Sequence, residues 1–320
     1  MSENLTVLVA GGAGFIGTNF CGRLLKEGFK VICLDNFVTS SKSNIEQYLA
    51  NLNFQFIEFD ISRGIPVLEA DQKVDYIVNL ACPASPIDYQ NLPIETLEVC
   101  SQGTKNLLEL AASNRARFIH ASTSEVYGDP DVHPQPETYW GRVNSYGPRS
   151  CYDEGKRYAE SLIWVYRRKR NVNTGVFRIF NTYGPFMRPR DGRVITNFVR
   201  QALSGENITV YGEGAQTRSF CYVDDLVDGI LRFMKSDEEG PINLGNPGEF
   251  TIRQLAEMVI RLTDTKSQMV QSPMPADDPR QRKPDITRAQ QKLNWQPVVP
   301  LEEGLKKTIE WIRSERISNY

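Results

Sequence analysis

The chain has 320 residues, 40% of them hydrophobic and 24% charged, which is an ordinary globular composition with enough apolar mass for a large core. Its formal net charge is −2, and the basic residues are spread along the chain. This charge pattern argues against a nucleic-acid partner and against a membrane-surface patch. The length predicts one large α/β domain that carries a smaller second domain.

The cysteine, histidine and hydropathy patterns argue against several further classes of protein. The six cysteines lie far apart and form no C-x-x-C pair, which favours reduced thiols and a cytoplasmic location. Only two histidines occur, His120 and His133, so we expect no metal site. Met1–Leu5 lacks the form of a signal peptide, and no run reaches about 18 apolar residues, so we expect no membrane span.

A glycine-rich turn follows the first predicted strand. The apolar run Leu5–Ala10 is typical of a buried parallel strand, and the segment from Gly11 to Gly17 leads into an amphipathic helix that ends near Glu27. Glycines in this context let backbone N–H groups approach a pyrophosphate at the helix start. A second strand, Lys30–Leu34, ends in Asp35, whose carboxylate would bind the adenosine ribose and repel a 2′-phosphate.

The turn therefore predicts bound NAD rather than NADP. A structural β-turn with a capping aspartate is the alternative interpretation. The residues predicted to contact NAD in this region are Gly11, Gly14, Phe15, Ile16, Gly17, Asp35, Asn36 and Phe37.

Alternating strands and helices continue through the first half. Strands are predicted at 54–59, 75–79 and 117–121, and a long helix at 92–113, which together indicate a doubly wound parallel sheet. Ligands of such sheets bind at the carboxyl ends of the strands. We therefore expect Asp60, Ile61, Leu80 and Ala81 to contact the cofactor, although Asp60 is equally suited to an N-cap. The proline-laced loop that contains Ser85 is expected on the substrate side.

A tyrosine and a lysine share one face of the helix predicted from Ser150 to about Arg170. Tyr152 and Lys156 are four residues apart. An ammonium beside a phenol lowers the phenol pKa from about 10, so the tyrosine could take a proton from a sugar hydroxyl during hydride transfer. The segment Ser122–Gly128 follows the fifth strand and offers hydroxyls to a substrate oxygen. A surface Tyr–Lys pair and an ordinary turn are the alternatives.

These motifs together resemble the extended short-chain dehydrogenase/reductases that act on nucleotide sugars. Within that group the chain is similar to the UDP-glucuronate decarboxylases, also called UDP-xylose synthases, over nearly its whole length. The segments that carry the similarity are 81–86 with Tyr89-Gln90, 122–130 with 133–135, 139–141, 149–157, 178–185, 191–194, 216–223 and 277–286.

The resemblance implies a Rossmann-like α/β fold in which residues 1–180 bind NAD. Residues 181–320 would mainly bind the UDP-sugar, with some segments returning to the first domain, and the protein would form a homodimer. The implied catalytic residues are Thr123, Glu125, Tyr152 and Lys156. The implied substrate-binding residues are Ser85, Ser124, Glu125, Asn181, Arg193, Tyr211, Gln216, Arg218 and Arg282.

The implied reaction begins with oxidation of C4 of UDP-glucuronate by NAD, with Tyr152 taking the O4 proton. Loss of CO2 from the resulting β-keto acid and re-reduction of C4 would give UDP-xylose. Release of the 4-keto pentose with NADH, a 4,6-dehydratase, a 4-epimerase and a non-catalytic NAD-binding regulator are the alternatives. Ser124 counts against a dehydratase, which needs an acid at that position to protonate the departing hydroxyl.

Two segments depart from the family pattern. Phe186 replaces the usual arginine after Tyr183-Gly184-Pro185, and Asn144–Gly147 replaces the usual Asn-Pro-Ile-Gly. We expect these changes to alter either a loop over the sugar or a dimer contact.

Overall fold

A seven-stranded parallel sheet lies at the centre of the molecule. The computed structural model describes residues 5–69, 72–273 and 282–318. Its strands are β1 (Thr6–Ala10), β2 (Lys30–Asp35), β3 (Phe54–Glu58), β4 (Tyr76–Asn79), β5 (Arg117–Thr123), β6 (Thr174–Ile179), β7 (Thr182–Tyr183), β8 (Ile208–Tyr211), β9 (Thr217–Ser219), β10 (Cys221–Tyr222), β11 (Ile242–Leu244), β12 (Glu249–Thr251) and β13 (Met269–Ser272).

Helices pack on the sheet and around its carboxyl edge. They are α1 (Phe15–Lys26), α2 (Pro86–Asn91), α3 (Pro93–Glu98), α4 (Thr104–Asn114), α5 (Ser150–Arg170), α6 (Val194–Leu203), α7 (Val223–Lys235), α8 (Ile252–Thr263), α9 (Thr287–Leu293) and α10 (Leu301–Ser318). No helix in the described ranges combines the length and the apolar character that crossing a bilayer requires.

The strand order of the large sheet is β11-β6-β5-β4-β1-β2-β3. The chain runs outward from β1 to β3 and then returns to the other side of β1 to form β4. This reversal creates a crevice beyond the carboxyl ends of β1 and β4, which is where open α/β sheets bind their ligands. The order confirms the predicted Rossmann-like doubly wound fold.

Helix α1 lies close to the turn that follows β1 because the third residue of the helix, Gly17, lacks a side chain. All five residues of β1 are buried, as expected for a strand with helices on both faces. A Cβ atom on Gly17 would lie 2.0 Å from the carbonyl oxygen of Gly11. Glycine at position 17 therefore lets α1 pack directly on the turn that follows β1.

The predicted long helix at 92–113 is found, but it is not a single α-helix. A π-helical turn, Val99–Gly103, joins α3 to α4. The turn lies against α5, because a Cβ atom on Gly155 would be 3.2 Å from the Cβ of Cys100. Single π-turns of this kind are frequent near functional sites.

The second half of the chain contributes both to the sheet and to the region over its edge. Strand β11 pairs with β6 in the large sheet, and α7 is joined to α1 by an ion pair between Arg23 and Asp228. The remaining strands form the short pairs β7–β10, β8–β13 and β9–β12. One continuous apolar core includes residues of both halves, from Val7 to Ile312.

Candidate active site

A cleft of about 720 Å³ opens at the carboxyl edge of the sheet. The turns after β1, β4 and β5 form one side of it, and segments from the second half of the chain form the other. Its position coincides with the crevice created by the reversal of strand order.

The glycine turn at one end of the cleft fits a dinucleotide. Gly11 has a φ of +76°, and a Cβ atom there would lie 2.7 Å from the amide nitrogen of Ala81. Helix α1 begins at Gly14 without a side-chain cap and with no acidic residue in its first turn. Its first N–H groups and the positive end of its dipole therefore suit a pyrophosphate.

Asp35 lies at the end of β2 and fixes the local backbone. Its Oδ2 accepts a hydrogen bond from the Ala13 N–H at 3.0 Å. Its Oδ1 accepts from the Phe37 N–H at 2.9 Å and from the Ser40 hydroxyl at 2.7 Å. The carboxylate thus joins the glycine turn to the loop after β2, with its negative charge at the position expected to face the adenosine ribose.

The predicted cofactor residues do not all line this cleft. Gly11, Gly14, Phe15, Ile16, Gly17 and Leu80 line it, as do Tyr152 and Lys156. The other predicted cofactor residues lie at the ends of β2, β3 and β4 and do not line the cleft. They are Asp35, Asn36, Phe37, Asp60, Ile61 and Ala81. Asp60 accepts hydrogen bonds from the Ser62 N–H at 2.9 Å and the Ser62 hydroxyl at 2.7 Å, so it has the capping role that was the alternative interpretation.

Tyr152 and Lys156 lie on the buried face of α5. The Lys156 ammonium donates a hydrogen bond to the Ala121 carbonyl at 2.9 Å. The ring of Tyr152 stacks on that of Tyr89, with centroids 5.0 Å apart and an angle of 8° between the planes. Both features hold the phenol at the end of β5, beside the loop that carries Thr123.

The pKa of Tyr152 differs from the sequence expectation. Burial raises it well above 10, the neighbouring Cys82 acts in the same direction, and the Thr123 hydroxyl partly offsets the rise. The lowered pKa expected from Lys156 is therefore not found in this structure, because removal of the phenol from water outweighs its electrostatic surroundings.

Glu125 is held between two arginines. Arg282 binds it in a bidentate manner, with Nη1 2.5 Å from Oε1 and Nη2 2.9 Å from Oε2, and Arg149 makes a close ion pair with Oε2. Burial by itself raises the pKa of Glu125, but the charges of Arg282 and Arg149 outweigh it and hold that pKa below its usual value. Glu125 is therefore an ionised carboxylate at neutral pH.

Three residues near the site were not predicted as site residues, namely Tyr89, Arg149 and Asp153. Arg149, three residues before Tyr152, also places its guanidinium 5.8 Å from the centroid of the Tyr89 ring. Burial and the charge of Glu125 raise the pKa of Asp153 to about 7, although Arg149 acts against this rise. The spacing of three residues from Tyr152 could have indicated Arg149. Tyr89 could not be found in this way, because its stacking on Tyr152 joins segments that are distant in sequence.

The structure brings together every residue that the sequence assigned to catalysis or to substrate. Thr123, Glu125, Tyr152 and Lys156 all line the cleft, and so do all nine predicted substrate residues. Arg193 reaches across the cleft and donates to the Ala84 carbonyl at 3.0 Å. Of the similarity segment at 277–286, residues 277–281 lie outside the described residues, whereas Arg282 pairs with Glu125.

The cleft is positively charged although the chain is not. Seven basic and three acidic side chains line it, while the whole chain has a net charge of −2. This local excess is suited to a ligand that carries several negative charges. In the described part of the chain, no group of three or more His, Cys, Asp or Glu residues is arranged to hold a metal ion.

The departure at position 186 falls at the edge of the cleft. Phe186 lines the cleft and has a φ of +70°. Its ring centroid is 5.7 Å from that of Trp311 in α10. The aromatic residue thus joins the loop over the cleft to the last helix.

Comparison with known proteins agrees with this geometry. Residues 7–245 match the sequence profile of the NAD dependent epimerase/dehydratase family. The chain belongs to this family. Its members are NAD dependent, so NAD is the cofactor for which the glycine turn is built.

Relatives within the family are about 50% identical to the chain over the aligned residues. UDP-glucuronic acid decarboxylase 6 of Arabidopsis thaliana is 51% identical over 306 residues, which are 95% of this chain and 87% of that protein. UDP-glucuronic acid decarboxylase 1 of Xenopus tropicalis is 48% identical over 309 residues, which are 97% of this chain and 72% of that protein.

Solved structures of family members superpose over almost the whole chain. UDP-glucose 4-epimerase of Thermotoga maritima, with UDP-glucose, has a TM-score of 0.87 and 29% identity, and the match covers 98% of this chain and all of that one. UDP-glucuronic acid 4-epimerase of Bacillus cereus, with UDP-glucuronic acid and NAD, has a TM-score of 0.86 and 28% identity, with 97% and 100% coverage.

Proposed function

We propose that the chain decarboxylates UDP-glucuronate to UDP-xylose with bound NAD, which makes it a carboxy-lyase. The observation that carries this proposal is the ionised Glu125 between Arg149 and Arg282, beside Tyr152 in a positively charged cleft. A diphosphate together with a sugar carboxylate would match that charge. Relatives about 50% identical to this chain are named UDP-glucuronic acid decarboxylases.

The same loop argues against dehydration. Departure of a hydroxyl requires an acid that can protonate it. Ser124 is a poor acid at neutral pH, and Glu125 is kept ionised by its arginines. Neither residue supplies the proton that a 4,6-dehydratase needs.

Tyr152 is the proposed base for the first step. The phenolate would take the O4 proton, and NAD bound at the glycine turn would supply the reversible acceptor for the hydride from C4. Lys156, whose ammonium donates to the Ala121 carbonyl, would place a positive charge near the phenolate. Because burial raises the pKa of Tyr152, that charge would stabilise a phenolate that the protein environment otherwise disfavours.

Loss of CO2 follows from the position of the new carbonyl. A ketone at C4 is β to the C6 carboxylate, so the electrons of the C5–C6 bond can move onto the C4 oxygen as CO2 departs. Thr123 and Tyr152 would donate hydrogen bonds to that oxygen. Glu125, as an ionised carboxylate, would hold the ring and assist proton delivery at C5 by orienting a water molecule as the proton donor, and return of hydride to C4 would complete UDP-xylose.

Release of the 4-keto pentose together with NADH is the alternative outcome of the same chemistry. It requires the cleft to open before hydride returns to C4. The balance between the two products depends on loop and lid rates.

Product analysis tests the proposal. The purified protein is incubated with NAD and UDP-glucuronate, released CO2 is measured, and the nucleotide sugars are identified by NMR. We expect CO2 with UDP-xylose, and UDP-glucose as substrate should give no CO2. UDP-galacturonate without CO2 would instead establish a 4-epimerase.

We also propose that the protein forms a homodimer through α5 and the neighbouring helix α3. Exposed apolar side chains on these elements support the proposal: Ile94 is 67% exposed, Leu97 is 45%, Tyr158 is 53% and Val165 is 42%. Patches of this kind commonly mark interfaces. Sedimentation equilibrium that gave a single species of 36.3 kDa at micromolar concentration would contradict it.

We propose that residues 1–180 mainly bind NAD and that residues 181–320 mainly bind the UDP-sugar. All six cysteines are free thiols, which supports a cytoplasmic location because thiols persist in reducing compartments.

A further inference from the structure

We propose that Gln135 and Asn243 are positioning residues that hold Arg282 against Glu125. The proposal rests on the proposed function, because it assigns the Glu125–Arg282 pair a part in that reaction. Neither Gln135 nor Asn243 lines the cleft, and both are fully buried.

Gln135 binds the backbone directly after Arg282. Its Oε1 accepts a hydrogen bond from the Lys283 N–H at 2.9 Å. Its backbone N–H donates to the Lys283 carbonyl at 2.9 Å, and its carbonyl accepts from the Asp285 N–H at 3.0 Å. The side chain donates to the Val132 carbonyl at 2.7 Å, which fixes its amide orientation. Gln135 therefore binds both the N–H and the carbonyl of Lys283, the residue directly after Arg282.

Asn243 joins Gln135 and Asp285 from the edge of the sheet. It lies in β11, and its Nδ2 donates to the carbonyls of Gln135 at 2.9 Å and of Asp285 at 3.0 Å. Its Oδ1 accepts from the Tyr127 hydroxyl at 2.7 Å. Every polar atom of this side chain thus has a partner, as a buried amide requires.

The network continues from Tyr127 to the catalytic helix. Burial raises the pKa of Tyr127 to about 12, so its hydroxyl remains a donor at neutral pH. Arg178 donates to that hydroxyl at 3.0 Å and binds Glu160 of α5 through two hydrogen bonds, at 2.9 Å and 2.7 Å. Glu160 in turn accepts from the hydroxyl of Ser122, the residue before Thr123, at 2.5 Å.

This arrangement ties Arg282 to the elements that carry the other catalytic groups. The residues at the site come from β5, α5 and the segment at 282–285, which are far apart in sequence. Fully satisfied buried networks rigidify the groups that they connect. A displacement of about 1 Å at a catalytic site can cost about 10²-fold in rate, so the network has kinetic consequences without touching the substrate.

Replacement of Gln135 by Met tests the proposal. The change keeps the length of the side chain and removes the acceptor for the Lys283 N–H. With NAD and UDP-glucuronate, we expect kcat for CO2 release to fall about 10–100-fold. In the Arg282→Ala background we expect Q135M to cause no further loss, because a residue that acts through Arg282 has nothing left to position. Equal losses in both backgrounds would overturn the proposal, and so would unchanged kcat in the single variant.

A second measurement distinguishes positioning from general destabilisation. Loosening of Arg282 removes a cation from Glu125, so the pKa of Glu125 rises. Protonation of Glu125 adds a second loss of kcat/KM at a pH below the limb that belongs to Tyr152, and this lower limb should move to higher pH in Q135M. A limb that stays in place despite lower activity would indicate a structural role only and contradict the proposal.

Amide hydrogen exchange provides a readout that does not depend on the reaction. In Q135M the backbone amides of Lys283 and Asp285 should exchange faster than in the wild-type protein, whereas those of β1 should not change. If wild-type protein released no CO2 while these amides responded as expected, the proposed function would fail and the anchoring of Arg282 would stand. Unchanged exchange at both Lys283 and Asp285 would show that Gln135 does not anchor this segment and would overturn the proposal.

Two further variants complete the design. Should Q135M fail to fold, the isosteric Asn243→Asp removes the donors to Gln135 and Asp285 and is subject to the same criteria. The matched control is Gln254→Met, which makes the same chemical change in the exposed cap of α8. It should leave CO2 release within twofold of wild type.

Discussion

At the scale of single residues, the site depends on how burial and charge compete at three ionisable groups. Burial raises the pKa of Tyr152 and of Asp153, whereas paired arginines lower that of Glu125 despite its burial. The same helix turn therefore places a neutral phenol and a carboxyl of intermediate acidity beside an ionised carboxylate. Such separation of pKa values is how acid and base roles are divided within one site.

Replacement of Tyr152 by Phe should remove the base without removing the stacked ring. We expect CO2 release to fall roughly 10²–10⁴-fold, with NAD affinity retained within a few-fold. Product assays combined with fluorescence titration of NAD measure both quantities. Full activity in the Tyr152→Phe protein would disprove the role of the phenol.

The rate should increase with pH through the neutral range. Because the pKa of Tyr152 is raised, the phenolate population grows as pH rises, and kcat/KM should increase about tenfold per unit below the apparent pKa. A pH–rate profile from pH 6 to 9 measures this slope. A flat profile would mean that proton abstraction by Tyr152 does not limit the rate.

Replacement of Asp153 by Asn should stabilise the protein at alkaline pH relative to acidic pH. The folded-state pKa is about 7 against about 3.9 in an unfolded chain, so the folded state holds a proton that the unfolded state has lost. Wild-type stability therefore declines as pH rises from about 4 to 7, and the variant lacks this decline.

The gain of the Asp153→Asn variant over wild type should be larger at pH 8 than at pH 5 by roughly 1–3 kcal/mol. Urea unfolding at the two pH values measures it. A gain that is the same at both pH values would show that Asp153 titrates normally in the folded protein.

At the scale of elements, backbone geometry decides where the chemistry lies. Helix α5 brings Tyr152 and Lys156 to one face by its 3.6-residue period, with Arg149 at its N-cap, and the sequence predicted the range of the helix correctly. The glycine turn could also be predicted from the sequence, because strand, turn and helix follow one another without interruption. The π-turn within the helix at 93–114 was not predicted, since it depends on packing against α5 and not on local composition.

Replacement of Gly17 by Ala tests the close approach of α1 to the turn. The added Cβ would lie 2.0 Å from the Gly11 carbonyl oxygen, so the turn or the helix must shift. We expect a loss of about 1–3 kcal/mol in stability and weaker NAD binding. Thermal unfolding with and without NAD measures both effects.

The control for this variant is Gly64→Ala. Gly64 has extended backbone, and a Cβ there would meet its nearest described atom at 3.9 Å, on Phe59. Its stability should stay within about 0.5 kcal/mol of wild type. Equal effects at Gly17 and Gly64 would show that the close approach is unimportant.

At the scale of the whole molecule, the two halves of the chain close over one cleft. Arg188 makes a close ion pair with Asp88, and Arg193 donates to the Ala84 carbonyl. Asp88 also accepts a hydrogen bond from Ser85 at 2.7 Å. These contacts join the loop after β7 to the start of α2 on the opposite side of the cleft.

Replacement of Arg188 by Gln should favour early opening of the cleft. We expect the ratio of released 4-keto pentose to UDP-xylose to rise by a few-fold only, because a partly exposed ion pair contributes little energy. The 4-keto sugar is measured by NMR together with NADH absorbance. An unchanged ratio in both Arg188→Gln and Asp88→Asn would show that this pair does not control release.

The sequence by itself determined the fold class and the local motifs of this protein. Periodicity, the glycine turn and the Tyr152–Lys156 spacing are properties of contiguous residues, so they can be read before the chain folds. Resemblance to known motifs extended this reading to Glu125 and Arg282 as individual site residues.

Only the tertiary structure decided how these residues act on one another. The pairing of Arg282 with Glu125, the stacking of Tyr89 on Tyr152 and the buried amides that hold the segment at 282–285 join residues distant in sequence. Ionisation also depends on burial, which exists only once the chain is packed. For this reason the raised pKa of Tyr152 could not be predicted from a lysine one turn away.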